Sequence, residues 1–328
     1  MATIRDVAKQ AGVGVGTVSR ALNGTGHVSP ETKKKIEDAA SKLGYTPNEL
    51  ARNLFRNRTG IIGLIVPDLH HSFFSCFAKY VEMELYKQGY KTMICNSIGI
   101  SDREKEYLYM LERNMVDGII TAAHSLDGEE YLKQKKPIVS LDRDFGSQIP
   151  LIGSDHAKGG RMAAELLIKN GCKKILQISG VSPNVASNDR HTAFQQMVES
   201  SKIELLNFIM DWNVFEWNAY YEQISNYMEQ HPDIDGVFSG DMGAIVCMNW
   251  ALQRGISIPE QLKIIGFDAM DITQMTYPVV TAVKQDVPLL AELCVNTLLD
   301  LIEERKHVPH RQILDVEMQY GGTTLSVE

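Results

Sequence analysis

The first sixty residues carry ten Lys and Arg side chains (Arg5, Lys9, Arg20, Lys33, Lys34, Lys35, Lys42, Arg52, Arg56 and Arg58) against five acids (Asp6, Glu31, Glu37, Asp38 and Glu49), a local balance of +5. The whole 328-residue chain has a formal charge of −8, so the remainder holds −13. A small basic module that neutralises phosphates, joined to a larger acidic module with another task, produces this asymmetry; so can a chance fluctuation of solvated surface charge. Covalent chemistry finds little support. No GxSxG, no HExxH and no GxxxxGK followed by Ser or Thr occurs. Gly12, Gly14 and Gly16 look superficially like a dinucleotide loop, but they follow a helical pattern instead of a strand and lack the third spacing. His307 and His310 flank Pro309 and could bind a metal, although two histidines on a polar segment are usually just solvated. Cys76, Cys95, Cys172, Cys247 and Cys294 are scattered without a CxxC pair, so neither a disulfide framework nor a zinc knuckle is expected. No basic segment followed by an apolar run opens the chain, and no stretch approaches about 18 apolar residues. A cytoplasmic protein outside the membrane, without cofactor or metal and not an enzyme, is expected.

The elements that must position these groups change character along the chain. Thr3-Ile4-Arg5-Asp6 has the form of a capping box, with Ile4, Val7, Ala8 and Ala11 at helical spacing behind it. Gly12-Val13-Gly14 interrupts, and Thr17 to Leu22 supplies a second short helix. Two short helices across a glycine-containing turn make a helix-turn-helix. A third helix is capped by Ser29, opens with Pro30 and stops at Gly44; its Lys33-Lys34-Lys35 run is a solvated face first and a phosphate contact second. This predicts a helix-turn-helix domain over residues 1–45. A hinge helix and linker follow over 46–58, where Asn48 to Leu54 is too short to hold a helix without support from a partner.

From residue 59 to 328 the texture is β-α alternation. Strands read Ile61–Val66, Thr92–Cys95, Gly118–Ile120, Ile138–Leu141, Lys174–Ile178, Gly236–Phe238 and Lys263–Phe267, with amphipathic helices between them. Short apolar strands alternating with helices imply parallel sheets covered on both faces. The expected fold class is α/β, with a three-helix head and a core of two doubly wound subdomains that hold a ligand cleft between them. The N-subdomain spans about 59–156 plus 286–316, and the C-subdomain about 157–285 plus 317–328. A nucleotide-binding enzyme and a sugar-transport protein are rival readings of such a core; the glycine spacing and missing catalytic motifs speak against the first, the missing leader and the basic head against the second.

Taken together, Thr3-Ile4-Arg5-Asp6-Val7-Ala8, Ala11-Gly12-Val13, Thr17-Val18-Ser19-Arg20, Leu22-Asn23, Val28-Ser29 and Leu43-Gly44-Tyr45-Thr46-Pro47-Asn48 resemble the DNA-binding head of the lac repressor (LacI/GalR) family. Gly63-Leu64-Ile65-Val66-Pro67-Asp68, Val116-Asp117-Gly118-Ile119-Ile120, Ile265-Gly266-Phe267-Asp268 and Thr281-Ala282-Val283-Lys284-Gln285 resemble landmarks of its effector-binding core. The resemblance implies a cytoplasmic, effector-controlled transcriptional repressor. Its second helix would enter the major groove, with Val15, Gly16 and Arg20 at the base edges. Arg20 could make a bidentate pair to guanine and Val15 could touch a thymine methyl, while Gly16 offers no side chain. Thr3, Thr17, Ser19 and Asn23 suit phosphate oxygens, or equally local hydrogen bonds. Gly14 stands where the family often has a capping Ser. In the hinge, Asn48, Ala51 and Arg52 would lie against DNA, and Leu54 would wedge into the minor groove unless it packs on the core.

For the core, resemblance to sugar-binding repressors and periplasmic sugar-binding proteins implies effector contacts from Phe73, Asp142, Arg190, Trp212, Asp241, Asp268 and Gln285. Carboxylates and Arg suit vicinal hydroxyls, and Trp212 or Phe73 a sugar face. Phe73 could instead be core, Trp212 surface packing, and Asp241 and Asp268 helix caps. His71-Ser72 replaces a common Asn-Pro, and Gly240 stands where Asn is frequent. Leu141-Asp142-Arg143-Asp144 and Val283-Lys284-Gln285-Asp286-Val287-Pro288 resemble most the branch of the family that governs sucrose operons in Gram-positive bacteria. The implied partners are a palindromic operator, a small-molecule sugar (sucrose- or fructose-related), a second copy of the chain and, as in some relatives, a phosphoprotein co-regulator. No leucine heptad tail follows Glu317, so a homodimer is expected instead of a tetramer.

Overall fold

The structure, a computed structural model, describes residues 2–23, 27–45, 58–113, 116–123, 125–180, 187–210, 217–305 and 307–326. The chain divides into two units, Met1–Gly60 and Ile61–Glu328.

In the first unit the local signals for helix ends are all used. Helix α1 (Ile4–Ala11) opens on the capping box: the Asp6 amide donates to Thr3 Oγ1 at 3.4 Å and the Thr3 amide to Asp6 Oδ2 at 2.8 Å. It closes on Gly12, whose φ of 69° costs glycine nothing. Helix α2 (Val15–Asn23) begins two residues before the expected Thr17, because the Gly14 carbonyl already accepts from the Thr17 amide at 2.9 Å and the Val18 amide at 3.1 Å. Helix α3 (Pro30–Lys42) is capped by Ser29 Oγ, which accepts from the Thr32 amide at 3.3 Å. The three helices close over Val7, Ala8, Val18, Ala21, Ile36 and Ala39. Val7, Val18 and Ile36 are fully buried, each contributing about 1.5–3 kcal/mol. The expected hinge helix at 46–58 falls, apart from Arg58, outside the described residues.

The second unit contains two six-stranded sheets. The first is ordered β11-β5-β4-β3-β1-β2 and is parallel throughout, built from β1 (Ile61–Val66), β2 (Lys91–Asn96), β3 (Gly118–Thr121), β4 (Ile138–Leu141), β5 (Leu151–Ser154) and β11 (Arg311–Leu314). Helices α4 (Ser72–Lys87) and α12 (Val287–Ile302) cover one face over Ile62, Leu64, Phe77, Val139 and Leu290; α5 (Ser101–Glu112) and α6 (Gly128–Leu132) cover the other. The second sheet is ordered β12-β10-β9-β8-β6-β7. Its strands are β6 (Lys174–Gly180), β7 (Glu204–Met210), β8 (Gly236–Phe238), β9 (Lys263–Asp268), β10 (Thr281–Lys284) and β12 (Glu317–Gln319), the last antiparallel to β10. Helices α7 (His156–Lys169) and α8 (Ser187–Ser200) lie on one face, α9 (Trp217–Gln230) and α10 (Asp241–Gln253) on the other, and α11 (Asp271–Gln274) follows β9. With both faces covered, a central strand such as β9 is buried at every position, and Ile264, Ile265 and Phe267 in its interior leave no polar face.

The chain passes between the sheets three times: from β5 to α7, from β10 to α12, and from β11 to β12. Register then places the polar residues that follow each strand. Lys284 lies opposite Asp268, so Gln285 emerges beside that carboxylate; Leu141 lies opposite Ile152, so Asp142 emerges beside Gly153. Every such residue sits at a carboxyl end, where open α/β sheets bind ligands. Among the described residues no helix is long and apolar enough to cross a membrane.

Candidate functional site

On the head, α2 turns Val18 inward and leaves Val15, Gly16 and Arg20 exposed on its outer side. Val15 is 42% exposed, unusual for a valine in so small a core. The Arg20 guanidinium donates to Thr17 Oγ1 at 3.4 Å, a weak local contact that a base edge or phosphate can replace. Ser19 is half-buried and makes a contact of its own, and Thr3 is committed to the α1 cap, its hydroxyl donating to Asp6 Oδ2 at 2.8 Å. The side chain of Asn23 and the whole of Asn48, Ala51, Arg52 and Leu54 lie outside the described residues. Helix α3 carries its own acids: Lys35 reaches Glu31 at 2.8 Å and Lys33 lies 3.9 Å from Glu37, so much of the lysine run is compensated along the helix surface.

In the core, Asp268 ends β9 with φ of 109° and Ala269 follows at 53°. Two successive non-glycine residues in this region cost about 1–3 kcal/mol each and persist only when held. The holder is Asp241, the first residue of α10. Its carboxylate accepts from the Ala269 amide at 3.3 Å and the Met270 amide at 2.8 Å. Gly266 makes room for it, since a Cβ there would stand 2.9 Å from Asp241 Oδ1. Asp241 therefore pins the turn that aims Asp268. Burial, reinforced by the neighbouring Asp268, pushes its carboxyl well above the usual carboxylate range.

Asp268 Oδ1 receives Gln285 Nε2 at 2.7 Å and Arg190 Nη1 at 3.5 Å. The Arg190 guanidinium lies over the Phe267 ring at 4.3 Å. Helix α8, which carries Arg190, approaches α7 at Gly160, where a Cβ would meet the Arg190 carbonyl oxygen at 2.0 Å. The first sheet's contribution is His71, which caps α4 by accepting the Phe73 amide on Nδ1 at 3.3 Å and stands beside Phe74. Burial holds His71 below its ordinary pKa, and it sits in the fields of Asp268 and Arg190. The two subdomains therefore face each other across these groups. They also interlock: Met270, on the turn after β9, is buried in the core of the first sheet with Phe73, Phe77 and Leu290.

The remaining expected contacts separate. Asp142, at φ 56°, directs Oδ1 to the Ser154 amide at 3.3 Å and lies 3.0 Å from His156 Nε2, whose ring stacks on Phe267. Phe73 is 5% exposed and stacks with Phe77 inside the core, leaving Phe74 as the half-buried aromatic on the His71 side. Trp212 lies outside the described residues. Two buried polar groups stand outside the set expected from the sequence. Arg143 is 8% exposed with Nη1 buried and unpartnered, and Tyr220 has its hydroxyl pushed up to about 12 by burial. Arg190 Nε, His191 Nδ1 and Gln285 Oε1 are buried without a partner as well. Outside this cleft, Gln285 also borders an open groove of about 460 Å³ with Lys79, Asp271 and Lys284, the last held by Glu317 at 3.0 Å. His310, one of the histidines near the end of the chain, contacts the Gly146 carbonyl oxygen at 2.7 Å.

Residues 3–48 match the family model for bacterial regulatory proteins of the lacI family, and 164–324 match that for a periplasmic binding protein-like domain. The sucrose operon repressor of Streptococcus mutans serotype c is 39% identical over 98% of this chain and 99% of its own. The chain belongs to the lacI family of bacterial regulatory proteins. Membership makes it a DNA-binding transcriptional regulator and not an enzyme. Among solved lacI-type structures, a periplasmic binding protein/LacI transcriptional regulator from Alkaliphilus metalliredigens QYMF, complexed with D-xylulofuranose, is 30% identical and superposes with a TM-score of 0.75, covering 81% of this chain and 100% of its own. The lac repressor dimer bound to operator and the anti-inducer ONPF shares the fold at a TM-score of 0.86, with 24% identity over 99% of each chain.

Proposed function

We propose that this lacI-family protein is a repressor whose grip on a palindromic operator is set by a sugar held between its two core subdomains. The observation that carries the reading is a set of buried, unpartnered polar atoms: Arg143 Nη1 and Gln285 Oε1 just past the carboxyl ends of β4 and β10, and Arg190 Nε in the first turns of α8. Leaving such groups unsatisfied costs about 1–3 kcal/mol each, and vicinal hydroxyls are the complementary partner. Arg190, Asp268 and Gln285 are the proposed hydroxyl contacts, Phe74 the proposed stacking face, and Asp241 and Asp142 hold the cleft in shape. Sugars on two relatives support the class: one governs a sucrose operon and another is complexed with D-xylulofuranose. A sucrose- or fructose-related effector fits best.

The interlocked Met270 supplies the coupling. A ligand that engages Asp268 and Gln285 changes the turn from which Met270 reaches into the opposite core, and so biases one relative orientation of the subdomains. On the DNA side, Arg20 is the proposed base reader, Val15 an apolar neighbour, and Thr3, Thr17, Ser19 and Asn23 lie near phosphates. Asn48, Ala51, Arg52 and the Leu54 wedge complete the interface, and pairing of two copies matches operator symmetry. A phosphoprotein co-regulator, known for some relatives, belongs to the same proposal.

The test is calorimetry of the full-length protein against mono- and disaccharides, followed by a gel shift on the DNA upstream of its own gene. Heat from a sugar that Asp268→Asn abolishes, with a salt-sensitive, sequence-selective shift that Arg20→Ala weakens, supports the reading. Sugar binding indifferent to Asp268 would sink it.

A further inference from the structure

Arg143 follows the carboxyl end of β4 by two residues, and its guanidinium is buried. A guanidinium does not shed its proton on burial, so the cost of drying it must be offset by its surroundings. Two groups do this. The Phe145 ring lies against it, with the guanidinium carbon 4.7 Å from the ring centroid. The Glu104 carboxylate, on α5, lies close enough for the two charges to act on each other.

The two groups are joined into one ladder. The rings of Phe145 and Tyr131 stand 4.7 Å apart. The Tyr131 hydroxyl, carried by α6, donates to Glu104 Oε1 at 2.5 Å. Its one proton is used there, so the Thr121 hydroxyl at the end of β3 donates to it at 3.0 Å. The Ser125 amide donates to Glu104 Oε2 at 3.0 Å. Burial pushes the Glu104 carboxyl above its ordinary range, while Tyr131, Ser125 and Arg143 each pull it back. Helix α6 closes the side of the ladder: a Cβ on Gly128 would stand 3.3 Å from Phe145 Cδ1 and 4.0 Å from Arg143 Nη2. Phe145 is 7% exposed and Glu104 fully buried, so neither offers a ligand a surface of its own.

We infer that Phe145 and Glu104 are positioning residues for sugar binding, which hold the Arg143 guanidinium past the end of β4 with Nη1 left to donate to a sugar oxygen. An arginine has several rotatable bonds, and fixing them before the ligand arrives removes that cost from binding. The ladder ties Arg143 to α5, β3 and α6 at once, so its setting does not depend on the short segment after β4 alone.

Because this rests on the cleft being the effector site, Asp268→Asn is measured alongside the ladder variants. Full-length protein is titrated calorimetrically with D-fructose, D-ribose and sucrose, with thermal unfolding of every variant recorded. The variants are Arg143→Met, Phe145→Leu, Glu104→Gln, and Arg143→Met combined with each of the other two. Glu104→Gln keeps an oxygen for the Tyr131 hydroxyl and removes the charge; if it does not fold, the Phe145→Leu cycle decides. Arg143→Met should weaken sugar binding about tenfold or more. Phe145→Leu should weaken it about 3- to 30-fold, and Glu104→Gln in the same direction. In the Arg143→Met background the second change should cost no further affinity, within about twofold. Losses that add in full show a general structural defect and overturn the inference, as does wild-type affinity in folded Phe145→Leu. Wild-type affinity in Arg143→Met, with binding lost in Asp268→Asn, overturns the inference and leaves the cleft as the site. No heat from any sugar, or binding unaltered in every folded variant including Asp268→Asn, overturns the cleft reading itself.

Discussion

Two glycines in helices, Gly160 in α7 and Gly16 in α2, set opposite expectations for the same substitution. Alanine in a helix is favoured over glycine by about 1 kcal/mol, so propensity alone stabilises both variants. At Gly16 the nearest atom to an added Cβ is Arg20 Nη1 at 3.9 Å, ordinary contact with the end of a flexible side chain. Gly16→Ala should therefore stabilise the head by roughly 0.5–1 kcal/mol. At Gly160 the added Cβ would lie 2.0 Å from the Arg190 carbonyl oxygen and 2.9 Å from its Cα. These are backbone atoms, and α8 must retreat by roughly 1 Å before contact becomes tolerable. Overpacking of this kind costs about 1–3 kcal/mol, which outweighs the propensity gain. The displacement also carries Arg190 away from Asp268, to which it donates at 3.5 Å. Sugar affinity should fall about tenfold, the equivalent of weakening one charge-assisted hydrogen bond. Differential scanning calorimetry and sugar titration on the two variants test this together. If Gly160→Ala melts at the wild-type temperature or above and binds sugar normally, the close approach of α7 and α8 does not position Arg190, and the reasoning fails.

Truncating Met270 to Ala removes a 7%-exposed side chain from the opposite subdomain's core; a loss of about 2–5 kcal/mol is expected in urea unfolding, with sugar binding that no longer alters DNA affinity. Retained coupling in a stable variant would exclude Met270 as the link. Burial, then Arg190 and His156, hold His191 below its ordinary value of 6.5, so the unfolded chain binds a proton that the folded protein refuses. Stability is therefore full above that value and declines as pH falls beneath it, by at most about 1.4 kcal/mol per pH unit for this group. His191→Gln should flatten the decline between about pH 5 and 6.5, and parallel curves for the two proteins would contradict the assignment. Among the thiols, Cys76 is the half-buried one, whereas burial pushes Cys172 and Cys247 up to about 12. A thiol reagent should label Cys76 first and the other four only on unfolding; fast labelling of two or more would show the core opening more readily than its packing implies.

Helix ends were legible because their signals are local: Thr3 with Asp6, Ser29 with Pro30, and Gly44 all act within four residues. Central strands are legible where burial on both faces leaves a short, mostly apolar run, so that Ile138–Leu141 and Gly236–Phe238 read with correct ends. Nothing in the sequence pattern marks β5, β7, β10, β11 or β12 as strands. Thr281–Lys284 and Leu151–Ser154 are four residues each and contain little that distinguishes a strand from a loop; neighbours in the sheet make them strands. The site divides in the same way. The types and motif positions of Arg190, Asp268 and Gln285 suggest hydroxyl binding; the register of β9 with β10 brings Gln285 beside Asp268, and α8 delivers Arg190 to the same carboxylate. The work done by Asp241 and Asp142 was invisible, because their partners Met270 and His156 lie 29 and 14 positions away in sequence. Periodicity could not choose between Phe73 and Phe74, two adjacent apolar residues at the start of α4, and the structure turns the first inward. Arg143 carries no role in the sequence pattern; only the fold shows that its Nη1 is buried and without a hydrogen-bond partner.

The most direct measurement is operator affinity with and without sugar, by fluorescence anisotropy on labelled DNA from upstream of the protein's own gene, at two salt concentrations. Sequence-selective binding that weakens with salt and shifts about 5- to 150-fold when the calorimetrically identified sugar is added, but not in Asp268→Asn, is the expected result. Sugar that binds with measurable heat yet leaves DNA affinity unchanged in the wild-type protein would contradict the coupling between cleft and head.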